Sequence, residues 1–180
     1  MGATGTAGGG RDAEYREFAL ARGGHLYRSA CLLTGGDTHL AEDLVQETLG
    51  RMYAVWRRSG GLFGGRRIDN PAGYAQRVLH RAFIDHHRRR SSTERPSGEL
   101  PELAVQADDS SLRIALLDAL AGMAPQDRAV LVLRYWEDVS VEETADILRI
   151  STGAVRTRSS RALGRLRTQL GDSLADLAAH

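Results

Sequence analysis

The residues of this chain best suited to binding chemistry are its arginines, which form two segments of a single charge sign. All 24 side chains of the Lys and Arg classes are arginine, a bias that a GC-rich genome also produces. Position is more informative: residues 66–90 hold seven arginines and two acids, and residues 149–167 hold six arginines and no acid. Arginine is permanently charged, and its planar fork matches phosphates and guanine edges. Because a solvated helix face usually mixes signs, the two segments predict two contacts with a polyanion.

The second basic segment lies within a pattern typical of a helix-turn-helix. Ser140 with Glu143 forms a capping box that predicts a short helix, and Ser151 predicts the cap of a longer one. Small Ala145 permits close helix approach across a tight turn, and in this motif the second helix enters the major groove. Helical spacing places four polar side chains on one face of that helix: Arg156, Thr157, Ser160 and Arg161. The alternative is an ordinary helical hairpin with a solvated arginine face.

The elements that must position these residues are predicted to be helices. Apolar residues recur at threes and fours from Asp12, Asp37 and Asn70-Pro71, and again after residue 111, and no run alternates with period two. We therefore expect an all-α fold of two small helical domains joined by a flexible acidic linker, the second containing the helix-turn-helix. The expected divisions are a disordered tail 1–11, a first domain 12–90, a linker 91–110, a second domain 111–170 and a short tail 171–180.

Residues for other kinds of chemistry are sparse. Cys31 is the single cysteine, lies in an apolar stretch and is expected in the core. His86 and His87 are neighbours, which on a helix diverge by about 100° and cannot easily share a metal ion. The glycine pairs near residues 60–65 lack the Lys-Ser/Thr of a phosphate loop. We expect no enzyme activity, metal or cofactor, no membrane insertion or small-molecule substrate, and a cytoplasmic location.

Three motifs in a fixed order resemble one protein family. Asp43-Leu-Val-Gln-Glu is followed by Asn70-Pro71 opening a helix that ends Ile84-Asp-His-His-Arg-Arg-Arg, and then by the helix-turn-helix. Over residues 12–170 this order resembles an extracytoplasmic-function (ECF) sigma factor of bacterial RNA polymerase. The resemblance implies a promoter-specificity subunit that binds core RNA polymerase and promoter DNA at the −35 and −10 elements, with an anti-sigma factor as a further possible partner.

The same resemblance implies roles for three sets of residues. The polymerase-binding set is Asp43, Gln46, Glu47 and Arg51. The −10 set surrounds a base-holding loop at residues 60–70 and comprises Arg66, Arg67, Arg77, His80, Arg81 and Arg88. The −35 set is Ser151, Arg156, Thr157, Arg158, Ser160 and Arg161.

A second interpretation stays open at this point. A stand-alone helix-turn-helix regulator would use residues 12–90 to sense a ligand or to dimerise. A sensor needs a pocket, whereas the polar and basic faces of this block favour the sigma-factor interpretation.

Overall fold

The computed structural model describes the backbone of residues 6–58, 68–93 and 110–171. Within these ranges the secondary structure is helical, as the sequence predicts. The helices are α1 (Thr6–Thr34), α2 (Thr38–Arg58), α3 (Pro71–Thr93), α4 (Ser110–Ala121), α5 (Pro125–Leu131), α6 (Val141–Leu148) and α7 (Thr152–Leu170), with a π-helical turn at Val132–Trp136. We call α1–α3 the N-terminal unit and α4–α7, with the π-helical turn, the C-terminal unit.

Side-chain caps fix where several helices begin. Asp37 accepts a hydrogen bond from the backbone N–H of Leu40 at the start of α2, at 3.0 Å. Asn70 does the same for Gly73 at the start of α3, at 2.9 Å, ahead of Pro71 in the first turn. These short side chains satisfy amide groups that the first helical turn leaves unpaired. The helix starts expected at Asp37 and Asn70-Pro71 are therefore confirmed.

Helix α1 starts earlier than expected, within the predicted tail 1–11. It begins at Thr6 rather than near Asp12 and continues through Gly23-Gly24 to Thr34. Its end follows from Gly35 and Gly36, whose φ angles are +66° and +93°. Gly36 N–H returns to the carbonyl of Cys31 at 2.9 Å, which closes the final turn.

The π-helical turn after α5 redirects the chain. Glu137 N–H bonds the carbonyl of Val132 at 3.0 Å, five residues back, and Val139 N–H bonds that of Leu133 at 2.9 Å. Asp138 then takes a positive φ of 51°. The extra residue in the turn places Trp136 and Glu137 against α1.

The two units pack against each other through a shared hydrophobic core. One continuous cluster includes Leu44 and Phe83 of the N-terminal unit with Val130 and Ile147 of the C-terminal unit. A second cluster joins α4, α5 and α7, and Leu32 of α1 packs against it. Helices α1 and α3 thus provide the surface on which α4, α5 and α6 pack. The expected linker lies largely outside the described residues.

Candidate nucleic-acid interface

Helix α7 has one buried and one exposed side. Val155, Ser159 and Ala162 are buried on the side of α7 that packs on α4, α5 and α6, with Leu166 and Leu170 continuing the same stripe. The four polar residues that sequence spacing placed together are all exposed: Arg156, Thr157, Ser160 and Arg161. Helical geometry keeps them on one face, opposite the stripe. The first three turns of α7 therefore present an arginine- and hydroxyl-bearing surface to solvent.

The turn between α6 and α7 has the geometry of a helix-turn-helix. Ser140 caps α6 by accepting from Glu143 N–H at 3.0 Å, and Ser151 caps α7 by accepting from Ala154 N–H at 3.1 Å. Between them, Arg149 adopts the left-handed conformation at φ 56°, and Ile150 N–H bonds the carbonyl of Ala145 at 3.1 Å. Ser151 is thus placed as a cap, with its hydroxyl occupied by the backbone.

Arg158 is a correction to the −35 set. Its Nη1 lies 2.6 Å from Oδ1 of Asp127, whose side chain is only 5% exposed in α5. A buried carboxylate needs a partner, because its desolvation is otherwise uncompensated. Arg158 therefore ties α7 to α5 and is not part of the exposed reading face.

Helix α3 carries the part of the −10 set that the structure describes. Arg77, Arg81 and Arg88 are all exposed. Their spacing puts them within an arc of about 40° and along about 16 Å of helix. Arg66 and Arg67, with most of the predicted base-holding loop, lie outside the described residues.

His80 is a second correction, because it is 0% exposed and cannot touch a DNA strand in this arrangement. Within the described structure neither ring nitrogen has a hydrogen-bond partner. Burial lowers the pKa of His80 from 6.5 to about 3, since the charged imidazolium would lose its hydration. Two turns further on, burial and the nearby Arg128 lower the pKa of His87 to about 4. His80 is a neutral core residue.

Helix α2 presents the predicted polymerase-binding residues to solvent. Asp43, Gln46 and Arg51 are exposed, and Glu47 is half-buried. Glu47 Oε1 and Arg51 Nη2 form an ion pair one turn apart, at 2.5 Å. The opposite side of the helix is buried at Leu44 and Met52. The four residues thus lie on the side of α2 away from the core, and their contact with polymerase stays a prediction.

Two buried charged residues between the units escaped the sequence analysis. Arg128 of α5 donates to the carbonyls of Leu33 at 2.8 Å, Met123 at 3.1 Å and Ala121 at 3.2 Å. These carbonyls lie at or just beyond the ends of α1 and α4, where the helix dipole favours a cation. The carboxylate of Glu137 accepts from three side chains of the N-terminal unit, and its side chain is 1% exposed. Neither residue stands out in sequence, because each has ordinary charged neighbours.

Other classes of site find little support in the described residues. They include no group of three or more His, Cys, Asp or Glu side chains arranged to hold a metal ion. None of the described helices combines the length and apolar character that crossing a bilayer requires. Cys31 is buried, as expected, and desolvation raises the pKa of its thiol.

Comparison with known proteins assigns both units. The model of sigma-70 region 2 matches residues 21–93, and that of sigma-70 region 4 matches residues 119–168. RNA polymerase sigma-E factor of Streptomyces avermitilis is 38% identical over 161 residues, covering 87% of this chain and 85% of the relative. The ECF RNA polymerase sigma factor ShbA of Streptomyces griseus is 34% identical, covering 75% of this chain and 74% of that protein. The chain is an extracytoplasmic-function sigma factor.

This sigma factor also shares its fold with a solved structure. The sigma factor RpoE from Bartonella quintana, in complex with the anti-sigma factor NepR, superposes with a TM-score of 0.62 at 23% identity. The match covers 88% of this chain and 98% of that one. The family consists of DNA-binding transcription initiation factors, and the protein is a promoter-recognition subunit of RNA polymerase. The alternative of a stand-alone regulator is not supported, because both units match sigma-factor regions.

Proposed function

We propose that this sigma factor reads the −35 element with the exposed face of α7, contacts the −10 element with the arginines of α3, and docks on core polymerase with the polar face of α2. The observation that carries the proposal is the exposed face of Arg156, Thr157, Ser160 and Arg161 directly after a capped helix-turn-helix turn. That position is the part of a recognition helix that enters the major groove.

The two arginines of α7 are proposed to make base contacts. Arginine pairs with the O6 and N7 acceptors of guanine, and each such pair discriminates by about 1–3 kcal/mol. Arg156 and Arg161 are exposed in the first three turns, whereas Arg167 is exposed in the last turn. We expect at least one of the first two to read a guanine and Arg167 to lie beyond the groove.

The arginines of α3 suit a strand backbone better than base edges. Arg77, Arg81 and Arg88 form one row on the exposed side of the helix. A row of cations follows the phosphates of a displaced strand without reading sequence. Replacing one of them is therefore expected to weaken −10 engagement equally for all sequences.

The α2 face is proposed as the docking surface for core polymerase. Asp43 and Gln46 are exposed beside the Glu47–Arg51 pair, and burial of Leu44 holds the helix in place. Rim charges of this kind act mainly on association and specificity. The roles proposed here divide the chain into a polymerase and −10 unit at residues 12–90 and a −35 unit at residues 111–170. The protein acts by binding rather than by catalysis, in the cytoplasm with the polymerase, and an anti-sigma factor is proposed as its regulator.

The test of function is run-off transcription from the promoter upstream of the protein's own gene, with core polymerase alone and with added protein. Transcripts should require both components. Asp43→Lys with Gln46→Ala should weaken co-purification with core, while Glu17→Lys, an exposed charge reversal on α1, should not. Wild-type retention of the double variant would contradict the α2 assignment.

Base reading is tested with single-base variants of the −35 element. Arg156→Ala or Arg161→Ala should reduce transcription and relax preference at one base, while Arg167→Ala should do neither. A uniform loss on every −35 variant would show that both arginines hold only the backbone.

A further inference from the structure

An acidic side chain of α6 reaches the exposed face of α7. Arg156 Nη2 lies 3.5 Å from Oε1 of Glu142, and the two side chains are 64% and 70% exposed. Residues 149–167 hold no acid of their own, so this carboxylate is supplied by the neighbouring helix. An ion pair this exposed adds little to the stability of a fold, because both groups stay hydrated and salt screens them. Any consequence of the pair therefore lies in how Arg156 meets DNA.

The backbones that carry the pair are held in place by caps and core packing. Ser140 caps α6 two residues before Glu142. Ser151 caps α7 five residues before Arg156, and Val155 is 0% exposed. Because both helix starts are fixed in this way, the side-chain torsions of Arg156 decide where its guanidinium points. The contact with Glu142 restricts those torsions.

Two kinds of DNA acceptor compete for an exposed arginine on a recognition helix. Guanine offers O6 and N7, which carry sequence information, whereas a phosphate binds the same guanidinium without reading a base. The side chain of an unrestrained arginine has many rotamers and can reach either acceptor. Sequence reading by Arg156 is therefore sharper if a neighbouring group favours the guanine edge over the phosphate.

Glu142 has the position and the charge to do this. A guanidinium has five N–H donors, so a contact through one hydrogen of Nη2 leaves enough donors for O6 and N7 of guanine. Arg156 can therefore read a guanine while it stays paired with Glu142. Because the first helix of a helix-turn-helix crosses the DNA backbone, Glu142 at the start of α6 lies where a phosphate would approach. Two anions placed side by side repel, and such repulsion is a means by which binding sites reject alternatives.

We propose that Glu142 is a positioning residue for −35 recognition, which holds Arg156 at a guanine edge and keeps it off the phosphates. The inference rests on the base-reading role proposed for α7 and names the residue that sharpens it. A bidentate arginine–guanine pair discriminates about 5- to 150-fold between bases. Without Glu142, the arginine gains a phosphate contact that every sequence offers equally. Discrimination then falls because transcription from non-cognate promoters rises.

The experiment uses holoenzyme reconstituted from core polymerase and the full-length protein. Run-off transcription is measured on the promoter upstream of the protein's own gene and on every single-base variant of its −35 element. Arg156→Ala first identifies the base at which preference relaxes. Glu142→Ala is then compared with Asp146→Ala, which removes an exposed carboxylate one turn further along α6.

Glu142→Ala should reduce discrimination at the base that Arg156→Ala identifies by about threefold or more, through higher transcription from the substituted promoters. Asp146→Ala should keep the wild-type discrimination. In the double variant of Glu142→Ala with Arg156→Ala, transcription from the substituted promoters should equal that of Arg156→Ala alone, because the guanidinium through which Glu142 acts is gone. A change of α6 structure, or a general effect of removing one negative charge, would alter transcription in both backgrounds and would overturn the proposal.

Failure of Glu142 and failure of Arg156 give different results. Wild-type discrimination in Glu142→Ala, with a relaxed base in Arg156→Ala, would overturn the positioning role and leave base reading by α7 standing. Relaxed preference at a different base in Glu142→Ala would show that Glu142 reads DNA itself, which also overturns positioning. If Arg156→Ala relaxes no base, base reading by Arg156 and the role of Glu142 are both overturned. The absence of any core-dependent transcript would refute the proposed function, and this inference with it.

Discussion

Acid destabilisation through His80 is a sharp quantitative expectation of the structure. His80 is fully buried in α3, and desolvation holds its pKa at about 3 instead of 6.5. The folded protein therefore keeps this imidazole neutral at pH values where the unfolded chain protonates it. Lowering the pH from 7 to 5 should reduce the free energy of unfolding.

The size of the effect follows from the two pKa values. The pKa of His80 is lower in the folded protein than in the unfolded chain. The free energy of unfolding is therefore highest above pH 6.5, and it falls as the pH drops from 6.5 toward 3, because the unfolded chain then binds a proton that the folded protein does not. Each pH unit in that window costs about 1.4 kcal/mol per group, so the loss at pH 5 is about 2 kcal/mol from His80 alone. His87, with a pKa lowered to about 4, adds a smaller loss because it is partly exposed. A domain stabilised by about 5–15 kcal/mol will show this clearly.

Urea unfolding at pH 7 and pH 5 measures the effect. His80→Leu replaces the titrating group by an apolar side chain of similar volume. Between pH 7 and pH 5, the free energy of unfolding of this variant should therefore fall by about 2 kcal/mol less than that of the wild type. Stability at pH 7 should change little or rise, because within the described structure the ring nitrogens make no hydrogen bonds. His39→Gln, an exposed change on α2, should keep the wild-type difference. An equal pH 5 loss in His80→Leu and wild type would refute a buried, neutral His80.

Three further changes test particular backbone and buried-charge features by the same urea assay. Arg149→Gly should stabilise the protein by up to about 1 kcal/mol, because glycine adopts the left-handed φ of 56° without Cβ strain. A lower free energy of unfolding in this variant would mean that the Arg149 side chain makes a stabilising contact. Gly35→Ala should destabilise the protein by more than about 2 kcal/mol, because Gly35 has a φ of +66° and a Cβ there would clash with Ala121. Gly164→Ala, in open space within α7, should stabilise it by about 0.5–1 kcal/mol. Similar effects of the two changes would argue against the close approach of Gly35 to α4. Arg128→Met should lower the free energy of unfolding by about 3 kcal/mol, because three backbone carbonyls lose their hydrogen-bond donor. An unchanged free energy of unfolding would show that water replaces the guanidinium.

Local sequence signals were sufficient to predict the helices and the exposed face of α7. Asp37, Asn70, Ser140 and Ser151 each cap a helix within three residues, and such contacts depend only on neighbouring positions. The exposed face of α7 likewise follows from the 3.6-residue period once the helix start is known. These features could be predicted because the physics that fixes them is short-range.

The packing between the units could not be predicted in the same way. Glu137 follows a π-helical turn, which breaks the period that would have shown its direction, and its partners lie 61 to 112 residues away. His80 follows Leu79 and precedes Phe83 on α3, where buried residues cover an arc of about 200° rather than the usual 100° or so of a surface helix. That wide apolar arc was the available signal that α3 packs on two sides.

The contact of Glu143 shows how a local motif is altered by packing between the units. Ser140 accepts from the backbone N–H of Glu143, as one half of the predicted capping box requires. The Glu143 carboxylate instead accepts from Arg77 of the other unit, at 2.6 Å. The cap depends only on neighbouring positions and could be predicted from sequence, whereas the partner of the carboxylate depends on how α3 packs beside α6.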